Sequence, residues 1–243
     1  MKVVVIIPAA GLGSRMAGAA TGKAPAKQFT ELNGIPVLVH TLRKFAAAPG
    51  VSEIVIALRK SEAENFAPRL DQEKFAKPVR IVEGGEHRQE SVCNALNAIS
   101  AEGNDLVLVH DAVRPFVDRE IIANVMDAAS KHGAAIAAVP AVDTIKQVDR
   151  TAEGAVVSAT IPREHVVLVQ TPQGFRFSVL KQAFDEATRD GFVGTDEASL
   201  VERMGHEVAV VMGSSRNMKI TTPADLELAE FYAGQEAKKY VAG

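Results

Sequence analysis

Short apolar runs recur along the chain, and between them lie polar stretches in which apolar residues return every three or four positions. The runs are Val3–Ile7, Ile54–Leu58, Val79–Val82, Leu106–Val109, Ala134–Val139, Val166–Val169 and Val208–Val211. An unbroken run bounded by turn residues predicts a strand buried on both faces. The stretches Val37–Ala47, Ser91–Ser100, Glu120–Lys131, Val179–Thr188, Asp196–Met204 and Ala224–Tyr232 carry the helical period. Strand and helix alternate. This predicts an α/β fold with a mostly parallel sheet, helices on both faces and right-handed crossovers. Asn33-Gly34 predicts a tight turn before the first long helix. Thr222-Pro223 predicts a helix start, with Thr as N-cap and Pro in the first helical position.

One region departs from this rhythm. Residues 142–160 contain Asp143-Thr144-Ile145-Lys146-Gln147-Val148, a polar turn at Glu153-Gly154, and Val156-Val157-Ser158-Ala159-Thr160. Two short alternating segments around a turn predict a hairpin. It has too few apolar residues for a core of its own, so it needs a surface. Either a second copy of the chain supplies that surface, or the hairpin lies on its own domain. The rest reads as one domain over residues 1–243, with a fraying tail from Gln235 to Gly243.

Composition narrows the function classes. The chain has 243 residues, 47% hydrophobic and 23% charged, which is ordinary for a globular protein. A net charge of −3 provides no overall attraction to nucleic acid or to an acidic membrane. Any anion site must be local. The run from Val3 to Ala10 is too short to span a bilayer, and nothing in it reads as a signal peptide. The single cysteine, Cys93, excludes an internal disulfide and fits a reducing, cytoplasmic setting; its apolar surroundings predict a buried, inert thiol.

The candidate chemistry collects after strands. Val3–Ile7 leads into Pro8-Ala9-Ala10-Gly11-Leu12-Gly13-Ser14-Arg15-Met16, a small-residue turn whose glycines let backbone N–H groups face an anion. The dinucleotide fingerprint fails at Met16, which stands where a third glycine belongs. The P-loop pattern fails because Gly18 and Gly22-Lys23 are one residue too close and Ala24 lacks a hydroxyl. Arg15 and Lys27 on one loop could instead close over a triphosphate, unless they and Lys23 are simply solvated. His110-Asp111-Ala112-Val113-Arg114-Pro115 follows Leu106–Val109. Asp111 thus falls at a strand's carboxyl end, where open sheets bind ligands, and could hold Mg²⁺ with substrate phosphates. Arg114 would pair with Asp111 or with substrate, and His110 reads as a packed residue. Gly84-Gly85 suits a base- or ribose-binding turn, and Ser91 reads as an N-cap. Thr171-Pro172-Gln173 lies past the Val166–Val169 strand. Thr195-Asp196-Glu197-Ala198-Ser199 reads as a capped helix start. Arg15, Lys27 and Lys219 together would form a cationic cradle. No G-x-S-x-G elbow, H-E-x-x-H helix or paired-cysteine zinc pattern is present. Cations, one carboxylate and glycine turns suit phosphoryl or nucleotidyl transfer.

In these motifs, from Pro8 to about Tyr232, the chain resembles the 2-C-methyl-D-erythritol 4-phosphate cytidylyltransferases of the non-mevalonate route to isoprenoid precursors. The resemblance rests on Pro8–Met16, Lys27-Gln28-Phe29, Gly84-Gly85, His110–Pro115, Asp143–Lys146, Thr171-Pro172-Gln173, Thr195–Ser199 and Asn217-Met218-Lys219. It implies a Rossmann-like three-layer nucleotidyltransferase fold, a homodimer built through a projecting β-arm at residues 142–160, and a divalent cation such as Mg²⁺. The implied reaction joins CTP and 2-C-methyl-D-erythritol 4-phosphate into CDP-methylerythritol and pyrophosphate. By motif, Arg15, Lys27 and Lys219 would act on the phosphates. Ala10, Gly11, Gly13, Gly85, Glu86, Ser91 and Asp111 would line the nucleotide site. Arg114, Thr144, Arg163 and Thr171 would contact the acceptor, Thr144 and Arg163 across the dimer. This chain has Pro25-Ala26-Lys27 where the family usually has Pro-Lys-Gln, so Lys23 is a rival cation. It also has Pro162 directly before Arg163. A ribitol 5-phosphate cytidylyltransferase, a nucleotide-binding module without turnover and a dinucleotide-dependent oxidoreductase are the competing readings.

Overall fold

A computed structural model describes residues 1–11 and 26–241, with side chains through residue 236. Strand β1 covers Val3–Pro8. A 3-10 turn at Lys27–Phe29 and two short strands, β2 (Glu31–Leu32) and β3 (Ile35–Pro36), precede helix α1 (Val37–Ala46). Next come β4 (Glu53–Leu58), α2 (Lys60–Gln72), β5 (Val79–Glu83), α3 (Arg88–Ala98), β6 (Leu106–Val109) and α4 (Arg119–His132). The chain continues through β7 (Ala134–Pro140), β8 (Ile145–Thr151), β9 (Gly154–Ile161) and β10 (Val167–Arg176). It ends with α5 (Phe177–Asp190), α6 (Glu197–Arg203), β11 (Ala209–Met212) and α7 (Pro223–Val241).

Among the described residues, seven strands form one sheet in the order β11-β7-β10-β6-β1-β4-β5. Neighbours are parallel, except that β10 runs antiparallel to both β6 and β7. The α/β fold with a mostly parallel sheet is therefore present. Strand β1 shows why its sequence has no polar position. Val3, Val5 and Ile7 pack with Leu38, Leu42 and Phe45 of α1 and Val125 of α4. Val4 and Ile6 pack on the opposite face with Val92 and Leu96 of α3 and Phe184 of α5. Burying each such side chain stabilises the fold by about 1.5–3 kcal/mol. A smaller cluster packs α7 against Leu32, Val37, Val113 and Ile220.

The short-range signals behave as expected. Asn33 and Gly34 both adopt positive φ, 52° and 73°, and close the β2–β3 turn. Thr222 caps α7 reciprocally: Asp225 N–H donates to its hydroxyl, and its own N–H donates to Asp225 Oδ2 at 2.8 Å.

Three expectations change, and one alternative that was open is decided. Helix α2 has no counterpart among the predicted helices. Only Phe66 of it is buried and Pro68 lies inside it, so its apolar period is weak. Strand β10 does not stop at Val169 but continues through Thr171-Pro172-Gln173 to Arg176, with a register shift between Val169 and Gln173. These polar residues sit buried between β6 and β7 because other side chains satisfy them. Helix α7 continues to Val241 instead of fraying at Gln235. The β8–β9 hairpin pairs from Ile145↔Ile161 to Thr151↔Gly154 and belongs to no larger sheet. All of β9 and all of β8 except Ile145 are exposed, so the hairpin does not lie on its own chain.

Candidate active site

The chain runs from β1 to β4 and β5 on one side, then returns with β6 on the other side of β1. The crevice at the carboxyl ends of β1 and β6 is thus a topological switch point, where open α/β sheets bind ligands. Two cavities open there. The first, of about 250 Å³, is bordered by Ala10, Gly11, Lys27, Ser91 and Asp111. The second, of about 230 Å³, is bordered by Arg114, Gln170, Thr171, Thr195 and Asp196. Arg88, Asp111 and Lys219 line both.

The first cavity is built from backbone turns held by buried side chains. Ala10 is buried, and Gly11 is exposed at the rim. Gln28, 2% exposed, donates from Nε2 to Ala9 O at 2.6 Å and so braces the turn after β1. Gly84 lies so close to the turn after β1 that a Cβ would stand 2.6 Å from Ala10 Cβ. Ser91 is not an N-cap. His87 holds that position without a side-chain cap, and Ser91 sits buried one turn inside α3. Its hydroxyl accepts from Gly85 N–H at 3.1 Å and donates to His87 O at 3.0 Å, holding the glycine turn against the helix. Glu86 donates its N–H to Glu90 Oε2 at 2.8 Å. Neither Gly85 nor Glu86 borders the first cavity. Gly13, Arg15 and Lys23 lie outside the described residues.

Asp111 is the electrostatic centre. Its carboxylate, 7% exposed, meets Lys219 Nζ at 2.9 Å and the Nε atoms of Arg88 and Arg114 at 3.3 Å each. Burial alone would raise its pKa, but Arg88, Lys219 and Arg114 outweigh burial and hold it well below the usual carboxylate range. Arg88 also donates from Nη1 to both oxygens of Glu197, at 2.7 and 2.9 Å. Burial works against the Arg88 charge, but the two carboxylates prevail and raise its pKa. Three cations thus share two carboxylates, which leaves the cluster net positive and suited to an anion.

Buried hydrogen bonds fix these groups. Asp111 N–H donates to Thr171 Oγ1 at 3.0 Å, and Thr171 Oγ1 lies 3.1 Å from His110 Nδ1. His110 Nε2 lies 3.1 Å from Arg114 O. Fully buried, His110 has its pKa pushed down to about 3 and stays neutral, so Nε2 carries the proton and Thr171 donates to Nδ1. The Thr171 hydroxyl, expected to touch substrate, is therefore occupied inside the fold. Asn217, with no exposed surface, donates from Nδ2 to Thr171 O at 2.8 Å, and its backbone carbonyl accepts from Arg114 Nη1 at 2.7 Å. Asp196 caps α6 in a capping box with Ser199, as its motif predicts. Glu197 is the acid of the first turn of α6, as expected, and it is also buried against Arg88. Cys93 is only partly buried, and burial pushes its thiol pKa up.

Thr144 and Arg163 border neither cavity. Arg163 donates from Nη1 to Val142 O at 2.7 Å, near the base of the hairpin. Sequence reasoning missed Arg88 and the supporting parts played by Gln28 and Asn217. Gln28 and Asn217 stood inside motifs already quoted, and the signal for Arg88 was its place between Gly85 and Ser91 at the start of α3.

Mg²⁺ takes one or two protein carboxylates together with substrate phosphates. Asp111 fits that role because its carboxylate borders both cavities. It does not form a metal cage, since no group of three or more His, Cys, Asp and Glu side chains that could hold a metal gathers among the described residues. The fit is to a metal held partly by substrate phosphates.

Comparison with known proteins gives the same picture. Residues 3–235 match the family model for 2-C-methyl-D-erythritol 4-phosphate cytidylyltransferase. The chain is 55% identical over 239 residues to a protein of that name from Acidobacterium capsulatum, covering 98% of this chain and 100% of the relative. It is 54% identical over 241 residues to one from Solibacter usitatus, covering 98% of each. A crystal structure of the Anaerococcus prevotii 4-diphosphocytidyl-2C-methyl-D-erythritol synthase superposes with a TM-score of 0.81 at 30% identity, covering 96% of this chain and 98% of that one. Matched by the family model over residues 3–235 and 55% identical to a relative over 98% of its length, this chain belongs to the 2-C-methyl-D-erythritol 4-phosphate cytidylyltransferase family.

Proposed function

We propose that the first cavity takes CTP and the second takes 2-C-methyl-D-erythritol 4-phosphate, and that the chain joins them into CDP-methylerythritol with release of pyrophosphate. One observation carries this assignment: Arg88, Asp111 and Lys219 line both cavities, so the two meet at a shared charged wall. The α-phosphate of CTP, through which the cytidylyl group is transferred, belongs at that wall.

In this reading an oxygen of the acceptor phosphate attacks the α-phosphorus of CTP in line. The new P–O bond forms as the bond to the leaving pyrophosphate breaks. The attacking phosphate is already an anion, so no general base is needed. Negative charge grows on the equatorial oxygens and the leaving group. Arg15, Lys27 and Lys219 offset it, and preorganised charge of this kind is the main catalytic means for phosphoryl-type transfer. Ala10, Gly11 and Ser91 of the first cavity, with Gly13, carry the nucleoside in this reading, and the Gly84-Gly85 turn with Glu86 backs them through Ser91. Arg114 faces the acceptor. Asp111 would hold Mg²⁺ together with the triphosphate, and the metal would neutralise phosphate charge. Because the cluster is net positive, Mg²⁺ alone should give no binding heat in calorimetry, whereas chelation with EDTA should abolish turnover.

The working unit in this proposal is a homodimer of single nucleotidyltransferase domains. The exposed hairpin supports it: Val148, Val156 and Val157 are 46%, 60% and 56% exposed, more apolar surface than a free arm would carry without a partner. Thr144 and Arg163 would then reach the acceptor cavity of a second copy. Among the described residues no helix is long and apolar enough to cross a membrane. The lone cysteine supports a reducing, cytoplasmic setting. The experiment that tests the function is pyrophosphate release from CTP with methylerythritol phosphate and with ribitol 5-phosphate side by side. Release with the first acceptor only is expected. Preference for ribitol 5-phosphate, or binding of CTP with no release, would overturn the assignment.

A further inference from the structure

The loop between α5 and α6 forms one wall of the second cavity through Thr195 and Asp196. Its α6 end is held firmly: Asp196 caps the helix, Gln173 Nε2 donates to Asp196 Oδ2 at 2.7 Å, and Glu197 pairs with Arg88. Its other end meets α3. Gln89 Nε2 donates to Phe192 O at 3.0 Å, and Gly194 N–H donates to Gln89 Oε1 at 2.9 Å. One amide side chain thus pairs with two backbone positions of the loop. Phe192 has a second tie, from its N–H to Ala187 O at 2.8 Å. Gly194 fits closely against α6: a Cβ there would lie 2.5 Å from Ser199 Oγ and 2.7 Å from Leu200 Cδ2. Val193 between them is 75% exposed. Gln89 itself borders neither cavity, although Arg88 and Ser91 on the same helix border the first.

We propose that Gln89 is a positioning residue for the acceptor, acting through the Phe192–Asp196 loop. It ties the wall that carries Thr195 to the helix that also borders the nucleotide cavity, and so sets the distance between the two substrates. The inference rests on the reading of the second cavity as the acceptor subsite. Two backbone hydrogen bonds to a partly exposed loop predict a KM for the acceptor raised about 3- to 10-fold in Gln89→Ala. KM for CTP should stay within about twofold, because the turn beside the first cavity is held by Ser91. Gln89→Glu keeps an acceptor for the Gly194 N–H and loses the donor, so its acceptor KM should fall between the two.

The test combines steady-state kinetics of both variants with backbone amide hydrogen exchange at Gly194. Faster exchange at Gly194 in Gln89→Ala but not in Gln89→Glu, with the KM change confined to the acceptor, is the expected result. An unchanged acceptor KM in folded Gln89→Ala, an equal rise for both substrates, or unchanged Gly194 exchange would overturn the proposal. Gln89→Glu, with thermal stability near that of the unmodified protein, serves if the alanine variant does not fold. Failure of the unmodified protein to turn over methylerythritol phosphate would overturn the reading of the cavity instead, and shows before any variant is made.

Discussion

Arg88 donates to both carboxylate oxygens of Glu197, at 2.7 and 2.9 Å, across 109 residues of chain. The same guanidinium reaches Asp111, so it joins the starts of α3 and α6 to the end of β6. Removing one partner of a buried pair leaves an uncompensated charge and costs about 3–5 kcal/mol, while removing both is far milder. The Arg88 side chain is 31% exposed, so Arg88→Gln should lose less than that, about 1–3 kcal/mol, in urea unfolding. Arg88→Gln/Glu197→Gln should regain most of it. Turnover should stay low in both, because Arg88 borders both cavities. A double variant as unstable as the single one would show that the pair is not the source of the loss.

Lys27 and Lys219 face the phosphates in the proposed reaction. Lys27→Ala and Lys219→Ala should each lower kcat by ~10²–10³ while the protein stays folded. Arg15→Ala should do the same. A folded Lys27→Ala with normal kcat would contradict the role assigned to that lysine.

His110 makes stability depend on pH in a definite direction. Its pKa in the folded chain is about 3, below the 6.5 of an unperturbed histidine. As pH falls, the unfolded chain takes up the proton first. The contribution of His110 is thus complete above pH ~6.5 and declines from there toward pH ~3, by about 1.4 kcal/mol per pH unit and about 5 kcal/mol in all. Asp111, whose pKa is also depressed, adds a further loss only below the ordinary carboxylate range. Unfolding free energies measured at pH 7, 5.5 and 4.5 should show the slope, and His110→Gln should remove most of it between pH 6.5 and 4.5, leaving the smaller part due to His40, whose pKa burial also lowers. An identical slope in that variant would assign the pH dependence elsewhere.

The hairpin makes its own prediction. Val157→Asp on β9 should leave the sheet intact, because the side chain is 56% exposed and lies outside the three core clusters. It should still shift the protein toward monomer in sedimentation velocity and reduce turnover, as Thr144 and Arg163 lose the cavity they serve. A monomeric variant with full activity would remove both residues from the acceptor site.

Much of this was legible without coordinates. The apolar run of β1 marks a strand covered on both sides, because each face meets a different helical layer and neither can carry a polar group. The Asn33-Gly34 turn and the Thr222 cap are local chemistry and fall where the residues place them. Asp111 and Arg114 could be picked out because they follow the end of β6, and Lys219 because of its Asn217-Met218-Lys219 motif, although the strand expected there is an irregular segment between β11 and α7. Helix α2 left no trace because it buries a single phenylalanine. Strand β10 reads in the sequence as ending at Val169, because Thr171-Pro172-Gln173 has loop character until β6 and β7 close around it.

The amino-acid sequence by itself determined the layers of the fold and the kinds of group at the strand ends, since burial and turn geometry act over a few neighbouring positions. Tertiary structure alone decided which groups meet. Ser91 became a brace for the glycine turn, Thr171 a support for Asp111, and Arg88 a bridge between two carboxylates. Their partners lie 6, 60 and 109 residues away. Contacts over the longer of these separations form only once the sheet has brought its strand ends together, and they leave no periodic mark along the chain.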